Sequence, residues 1–489
     1  MEYENISPKY QAFSWIIAGW LGWLWLTLIL ALGGVFSGVW FAAGMFVLGL
    51  AFVWKVKRSA LEEKTSFAKF FFSIIWYKWR VVLPVIVLAA TYLLFTASPT
   101  VFAGRDQGSY SLAAIRLAQN HQLSFFSTES EAFFRIYGQG LALNFPGFAY
   151  TRDGGLITQF PLGYISWLAS SFLIFGLPGL AIANAITLTF FIIAFCLLLQ
   201  LFISRKHAII GALLLVTSFP VLWFAKYTLS ENLAWALFVV LGLQLTLFLR
   251  TKRAFHFWLA LATAGFFTFT RIEGFAFLAI TLILLGISPQ GKHFWKEKGV
   301  TYFIAPTLFF FIVLATDIFA NLPFYKNVAK GFLHAWQPLL QTSSGSIGSF
   351  FGSLLGLNNI FLGYGLLPAM LIGAFSIILF AKRKNFLILV TFALALPTFV
   401  YFLQPAISAD HPWLLRRFTF SLWPTLLFLA IAGISTVDAL FKRRNNPSAP
   451  MWEKHYGTLL FSILFLVQFP ACIQYVAMNE HHALLQQTQ

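Results

Sequence analysis

Residues 179–206 read GLAIANAITLTFFIIAFCLLLQLFISRK, an uncharged and mainly apolar stretch closed by Arg205 and Lys206. About 20 such residues, wound as a helix, cover the hydrocarbon core of a bilayer. Basic residues just beyond a span are retained on the cytoplasmic side. The same pattern recurs along the chain. It predicts thirteen spans at 13–32, 36–54, 81–97, 179–203, 208–224, 232–249, 255–270, 274–288, 300–320, 360–381, 386–404, 419–440 and 457–476.

Composition agrees with this reading. Hydrophobic residues make up 59% of the 489, aromatics 19%, and the mean hydropathy is +0.78. A soluble globule carries about 45–50% apolar residues. Strand-like alternation is absent, which excludes a transmembrane β-barrel. The expected fold class is therefore an all-α integral membrane protein.

A net charge of +17 invites a nucleic-acid reading, but its location argues against one. When the spans are threaded alternately, one set of connections receives most of the 33 basic residues, among them Lys55, Lys57, Arg58, Arg205, Lys206, Arg250, Lys252, Arg253, Lys382, Arg383, Lys384, Lys442, Arg443 and Arg444. That asymmetry is a topology signal for a multi-pass membrane chain surrounded by membrane lipids, with no nucleic-acid partner. The N-terminus has no small-residue cleavage site and reads as an uncleaved anchor. Cys196 and Cys472 both fall inside spans, so no disulfide framework or thiolate site is indicated.

Three regions follow. Residues 1–80 form a two-helix membrane hairpin and a basic cytoplasmic loop, 81–440 form the main transmembrane body, and 441–489 form a basic loop, a last span and a short tail. Two polar intervals, 98–160 and 321–359, lie on the sparsely basic face. In the first, Tyr110, Ala114, Leu117 and Ala118 share one face of a helix that would lie at the interface. Glycines from Gly138 to Gly155, with Pro146, then break regular structure. The apolar run 161–175 is short for a crossing, and counting it as one would undo the charge asymmetry, so it reads as interfacial or re-entrant. The second interval reads as a loop, either flexible or a lid.

Four polar clusters converge on that face: Arg105–Tyr110, Thr151–Tyr164, Lys226–Glu231 and Asp410–Arg417. They bring carboxylates (Asp106, Asp153, Glu231, Asp410), cations (Arg152, Lys226, Arg416, Arg417) and His411 together. Charge beside hydrocarbon is costly and marks a site by default. The set suits transfer of a group from a phosphate to a hydroxyl, where a carboxylate takes the proton and cations neutralise the departing phosphate. The planar fork of arginine matches phosphate oxygens, which favours the pair Arg416 and Arg417. Each member also has a structural reading: Asp106 as a helix cap, Arg152-Asp153-Gly154-Gly155 as a turn, Ser230-Glu231 as a helix start, and Arg416-Arg417 as a headgroup anchor. Arg271 and Glu273 read as a structural ion pair.

These stretches resemble a family. RDQGSYSLAAIRLAQNHQLSF (105–125), Gln159-Phe160-Pro161-Leu162-Gly163-Tyr164, Lys226–Glu231, Thr270-Arg271-Ile272-Glu273-Gly274 and His411–Phe418 follow the order found in GT-C glycosyltransferases. The likeness is to the branch shared by protein O-mannosyltransferases and lipid A aminoarabinose transferases. It implies a GT-C-like body with interfacial helices in the first large loop, and an active site on the external or periplasmic face of a bacterial membrane. It also implies a polyprenyl-phosphate sugar donor and a glycan, lipid or protein acceptor. Asp106 would be the catalytic base, and Arg416 and Arg417, with Arg152 or Lys226, would hold the donor phosphate. Glu231, Tyr110, Asp153, His411 and Gln159 would orient sugar or acceptor. Two departures stand out. Gln107 replaces the second acid of the family's usual pair, leaving the need for a divalent cation open, and Gln159-Phe160 replaces its usual His or Lys. The rival is a transporter or lipid-linked sugar flippase, which would place charges near midspan.

Overall fold

The computed structural model describes residues 8–62, 83–97, 106–138, 140, 142, 145–341, 360–403, 412–443 and 456–476. Arg105, Asp410 and His411 fall outside them. The elements that build the site, in chain order, are α1 (Pro8–Leu32), α2 (Gly38–Glu62), α3 (Leu83–Thr96), α4 (Asp106–Asn120), β1 (Ser124–Phe125), α5 (Thr128–Tyr137), β2 (Phe148–Tyr150), β3 (Leu156–Thr158), α6 (Leu162–Phe175), α7 (Pro178–Gln200), α8 (Arg205–Val216), α9 (Phe219–Phe224), α10 (Ser230–Thr251), α11 (Ala254–Thr268), α12 (Gly274–Ile287), α13 (Pro289–Lys298), α14 (Thr301–Ala320) and α15 (Leu322–Gln341). Helices Leu367–Lys382, Leu422–Arg443 and Tyr456–Val476 complete the bundle.

The chain is an integral multi-pass membrane protein. Among the described residues, seven helices are long and apolar enough to cross a membrane, or eight if the bent pair α12 and α13 counts as one. The expectation of about thirteen spans is not reproduced, because several apolar runs form shorter helices. Leu83–Thr96, Ala254–Thr268 and Leu367–Lys382 are among them. The run 208–224 is split into α8 and α9 at Thr217-Ser218, where Pro220 cannot continue a preceding helix. At Ser288-Pro289 the chain turns by 84° into α13, which buries Phe294 and exposes its lysines, as a helix lying along the membrane surface does.

Helix α10 is the hub. It is apolar on every face, as a helix surrounded by other helices must be, and it packs between α7 and α11. Its Gln244 takes a hydrogen bond from Ser14 of α1 at 3.2 Å and lies 2.8 Å from His256 Nδ1, so its polar groups are satisfied inside the bundle. Lipid supplies no hydrophobic drive between helices, so close packing must hold them together. Gly373 shows this, since a Cβ there would lie 2.2 Å from the Leu426 carbonyl oxygen on the facing helix Leu422–Arg443.

The body is helical, but the first polar interval also folds a three-stranded antiparallel sheet in the order β1-β3-β2, which amends the all-α expectation. The strand-favouring residues Phe148, Tyr150, Ile157 and Thr158 pair, with Ala149 and Leu156, across a turn: Phe148 lies opposite Thr158, Ala149 opposite Ile157 and Tyr150 opposite Leu156. Helix α6 is buried from Leu162 to Ser171 against α1, α4 and α7 rather than laid on the surface. Helix α1, from the N-terminal hairpin, packs on α6, α11 and α14, while α2 is largely exposed. The second polar interval, read as a loop, begins as helix α15. There Phe324, Tyr325 and Val328 are partly covered while Lys326, Asn327 and Lys330 are exposed. Residues 342–359 fall outside the description.

Candidate functional site

Asp106 is the first residue of α4, where the free backbone N–H groups favour a carboxylate. The helix is fixed behind it from several sides. Ser109 donates to the Pro146 carbonyl at 2.6 Å, and the Tyr110 ring lies 4.4 Å from Phe160 and 5.5 Å from Tyr164. Thr228 donates to the Gln107 carbonyl at 2.8 Å and shares a 2.7 Å hydrogen bond with Ser111. Burial, with Glu231 alongside, raises the Tyr110 phenol well above its usual range. Tyr110 therefore serves as a neutral hydroxyl.

Glu231 lies in the first turn of α10, fully buried. Arg416 joins it to Asp106: Nε donates to Glu231 Oε1 at 2.6 Å and Nη1 donates to Asp106 Oδ2 at 2.6 Å. On the other side of Glu231, Arg271 Nη1 lies 2.7 Å from the same Oε1, and its Nη2 lies 2.8 Å from Glu273 Oε1. Tyr401 donates to Glu273, and Arg417 sits 5.1 Å over the Tyr401 ring. The result is a continuous chain, Asp106–Arg416–Glu231–Arg271–Glu273, in which two cations alternate with three anions; Arg417 lies at its far end. Charges removed from water need such pairing. Burial works against the Arg416 charge, but Glu231 and Asp106 outweigh it and hold the guanidinium protonated beyond its ordinary range. Arg417 Nε is buried with no hydrogen-bond acceptor among the described residues.

A close backbone approach lets the Arg271 turn reach this cluster. Gly163 N, at the start of α6, donates to the Phe269 carbonyl at 2.6 Å, and a Cβ at Gly163 would lie 2.7 Å from that oxygen. Only glycine allows α6 to seat the 269–273 turn there.

The remaining sequence candidates sit elsewhere. Lys226 lies in the α9–α10 connection, which is clamped by Asn184 Nδ2 and Asn232 Nδ2 donating to the Tyr227 carbonyl at 2.9 and 2.6 Å. It lines a cavity of about 230 Å³ with Ser111, Asn184 and Thr228, and burial pulls its ammonium down to about 8. Arg152 and Asp153 occupy the exposed tip of the β2–β3 hairpin, with Asp153 accepting from Thr151 at 2.5 Å. Gln159 donates to the Phe148 carbonyl at 2.6 Å and so closes the hairpin. Among the described residues, no three His, Cys, Asp or Glu side chains gather as metal ligands. The two carboxylates that a divalent cation would bridge, Asp106 and Glu231, are bridged by Arg416, so this donor set does not fit a metal.

Sequence reasoning treated Arg271 and Glu273 as an isolated pair and missed their link to Glu231. A signal was present: an arginine between two apolar helices, whose five donors one carboxylate cannot satisfy. Tyr401, inside an apolar stretch, carried no signal.

No family model and no curated protein sequence matches the chain. Among solved structures, the oligosaccharyltransferase of Archaeoglobus fulgidus in its apo form superposes with a TM-score of 0.50 at 13% identity, covering 83% of this chain and 57% of its own. Its structure with Zn and sulfate gives 0.46 at 16% identity over 81% and 54%. The archaeal oligosaccharyltransferase AglB from the same organism, in complex with an inhibitory peptide and a dolichol-phosphate, gives 0.43 at 14% over 83% and 57%. The chain spans little more than half the length of these enzymes. At this identity the likeness of the apo structure shows a shared arrangement of membrane helices and nothing of the activity.

Proposed function

We propose that this chain is a membrane glycosyltransferase that moves a sugar from a polyprenyl-phosphate-linked donor to a hydroxyl of a glycan, lipid or protein acceptor at the external face of a bacterial membrane. The observation that carries the reading is the Arg416 bridge. It fixes Asp106, with 41% of its side chain exposed, against a fully buried Glu231. A carboxylate held in one orientation yet open to solvent is a general base in waiting. The charges also gather where α4, α10 and α12 begin rather than at midspan, which favours an enzyme over a transporter.

In the proposed reaction Asp106 takes the proton of the acceptor hydroxyl, whose oxygen forms a bond to the anomeric carbon. The bond from that carbon to the phosphate oxygen breaks, and its electron pair leaves on the phosphate. In-line displacement inverts the anomeric centre. Arg417 and Lys226 are the cations offered to the phosphate. Arg416 is a positioning residue because its Nε and Nη1 bridge two carboxylates. Glu231 and Tyr110 shape the sugar's surroundings, and the hairpin closed by Gln159 presents Arg152 and Asp153 to an acceptor reaching beyond the cluster.

The test uses the purified chain in proteoliposomes with labelled polyprenyl-phosphate sugars. The expected result is labelled product with matching release of polyprenyl phosphate, undiminished by a chelator. Movement of intact labelled lipid between leaflets without any change in its covalent bonds would establish the transporter instead. Within that assay, Arg416→Lys should lower kcat about 10- to 100-fold, because an ammonium cannot span both carboxylates, and leave the donor KM nearly unchanged. A raised KM with an intact kcat would mean that Arg416 binds donor rather than positions the base.

A further inference from the structure

Helix α14 carries a carboxyl that the proposed reaction does not use. Asp317 lies in its last turn and Asn321 directly follows the helix, with the Asn321 N–H closing a helical bond to the Asp317 carbonyl at 2.8 Å. Spaced by four, the two side chains share one helix face, and both residues are buried. Tyr325, in the first turn of α15, donates to Asp317 Oδ2. The Asn321 amide is fixed as well, because its Nδ2 donates to the Phe160 carbonyl at 2.9 Å. Turned over, it would set its own oxygen against that carbonyl, acceptor to acceptor. Two atoms are left over. Asp317 Oδ1 and Asn321 Oδ1 are buried acceptors that receive no hydrogen bond among the described residues. No cation answers the carboxyl among those residues either. On α15, Lys326 and Lys330 are exposed; on α1, Lys9 bonds to Gln200; beyond α11, whose His256 bonds to Gln244, Arg271 is held by Glu231 and Glu273.

We propose that the missing hydrogen is a proton on Asp317, and that this neutral carboxyl, through Asn321, positions the wall behind the candidate base. With its O–H on Oδ1, Asp317 donates to Asn321 Oδ1, while Oδ2 keeps the bond from Tyr325. One proton thus satisfies both leftover acceptors, as buried polar groups require, and removes a charge that the surrounding hydrocarbon makes costly. Asn321, held in this way, keeps its amide on the Phe160 carbonyl. The Phe160 ring lies 4.4 Å from Tyr110, which stands one turn along α4 from Asp106. Asp317 and Asn321 are therefore positioning residues, which act on the helix of the base without touching substrate. A neutral Asp317 is also no charge that a transporter could use at membrane depth. The effect on sugar transfer rests on the glycosyltransferase reading; the proton on Asp317 does not.

The test begins with the proton itself. At neutral pH the detergent-purified full chain should show the infrared carbonyl stretch of a protonated carboxyl that Asp317→Asn lacks, and identical spectra in that band would overturn the proposal. In water an aspartate ionises near about 3.9, so unfolding releases this proton and is favoured as pH rises. The Asn variant makes the same two bonds with an amide and holds no such proton. Its melting temperature should therefore pull ahead of wild type as pH rises; a difference that stays constant with pH would mean that Asp317 is already ionised in the fold. In the proteoliposome assay, Asp317→Ala and Asn321→Ala should each lower kcat about tenfold, the worth of a lost buried hydrogen bond, with the donor KM nearly unchanged. Asp317→Asn should restore most of the rate that Asp317→Ala loses. An Asn variant as slow as the Ala variant would show that the charge is what matters, and Ala variants as fast as wild type would remove the positioning role. If wild type itself transfers no sugar, the enzyme reading falls, and the infrared and melting results still decide the proton.

Discussion

Asp106→Asn is expected to reduce sugar transfer by about 10²- to 10⁴-fold, the range that a positioned general base contributes. The substitution keeps the shape of the side chain, and the amide oxygen still accepts from Arg416 Nη1, which now lies 2.6 Å from Asp106 Oδ2. What is lost is the charge and the capacity to take a proton. Asn is also a good residue at a helix start, so α4 keeps its beginning. Because the Asp106 side chain is 41% exposed, its ion pair contributes little to stability, and Arg416 retains its bond to buried Glu231. Expression, insertion and thermal melting should therefore match wild type. Transfer within a few-fold of wild type would remove Asp106 from the chemistry and leave it a helix cap.

Glu231→Gln should act in the opposite way, on stability first. Glu231 is fully buried and accepts from Arg416 Nε while Arg271 Nη1 lies 2.7 Å from the same oxygen. Removing its charge leaves Arg416 with Asp106 alone and Arg271 with Glu273 alone, and both guanidinium groups face a neutral amide where a buried carboxylate stood. Breaking a buried pair in this way costs about 3–5 kcal/mol, a large share of the roughly 5–15 kcal/mol that holds an ordinary folded domain. The variant should melt markedly lower and transfer no sugar. Glu231→Gln combined with Arg271→Gln should recover neither the melting temperature nor activity, since it also strips buried Glu273 of its Arg271 partner. A single Glu231→Gln variant that melts like wild type would show that the buried cluster is not what holds α4, α10 and the 412–419 segment together.

The legible and illegible parts of this chain divide along a physical line. Apolar length and the retention of lysine and arginine are local properties, so membrane residence and the positions of most helices could be read without a structure. So could the gathering of Asp106, Glu231 and Arg416 into polar breaks between apolar runs. Helix length after packing was not legible: the run 208–224 has the hydropathy of one span, but Ser218 and Pro220 divide it. The β2–β3 hairpin was hidden because its strands are three residues long, too short for alternation to register. Helix α6 gave no sign that it would be buried rather than surface-bound, because an apolar run fits either environment.

The same division holds at the site. Arg416 lies 310 residues from Asp106 and 185 from Glu231 in sequence, yet it bonds to both. Desolvation dictates that each charge near hydrocarbon finds a partner, and that much is written in the residues. Which partner it finds depends on how α4, α6 and α10 pack, on the missing side chain at Gly163 that lets the Arg271 turn approach, and on the short helix that carries Arg416 and Arg417. Hydropathy and charge place the cluster at one end of the bundle. Packing alone decides that Asp106 is the exposed member and that Arg416 is its holder.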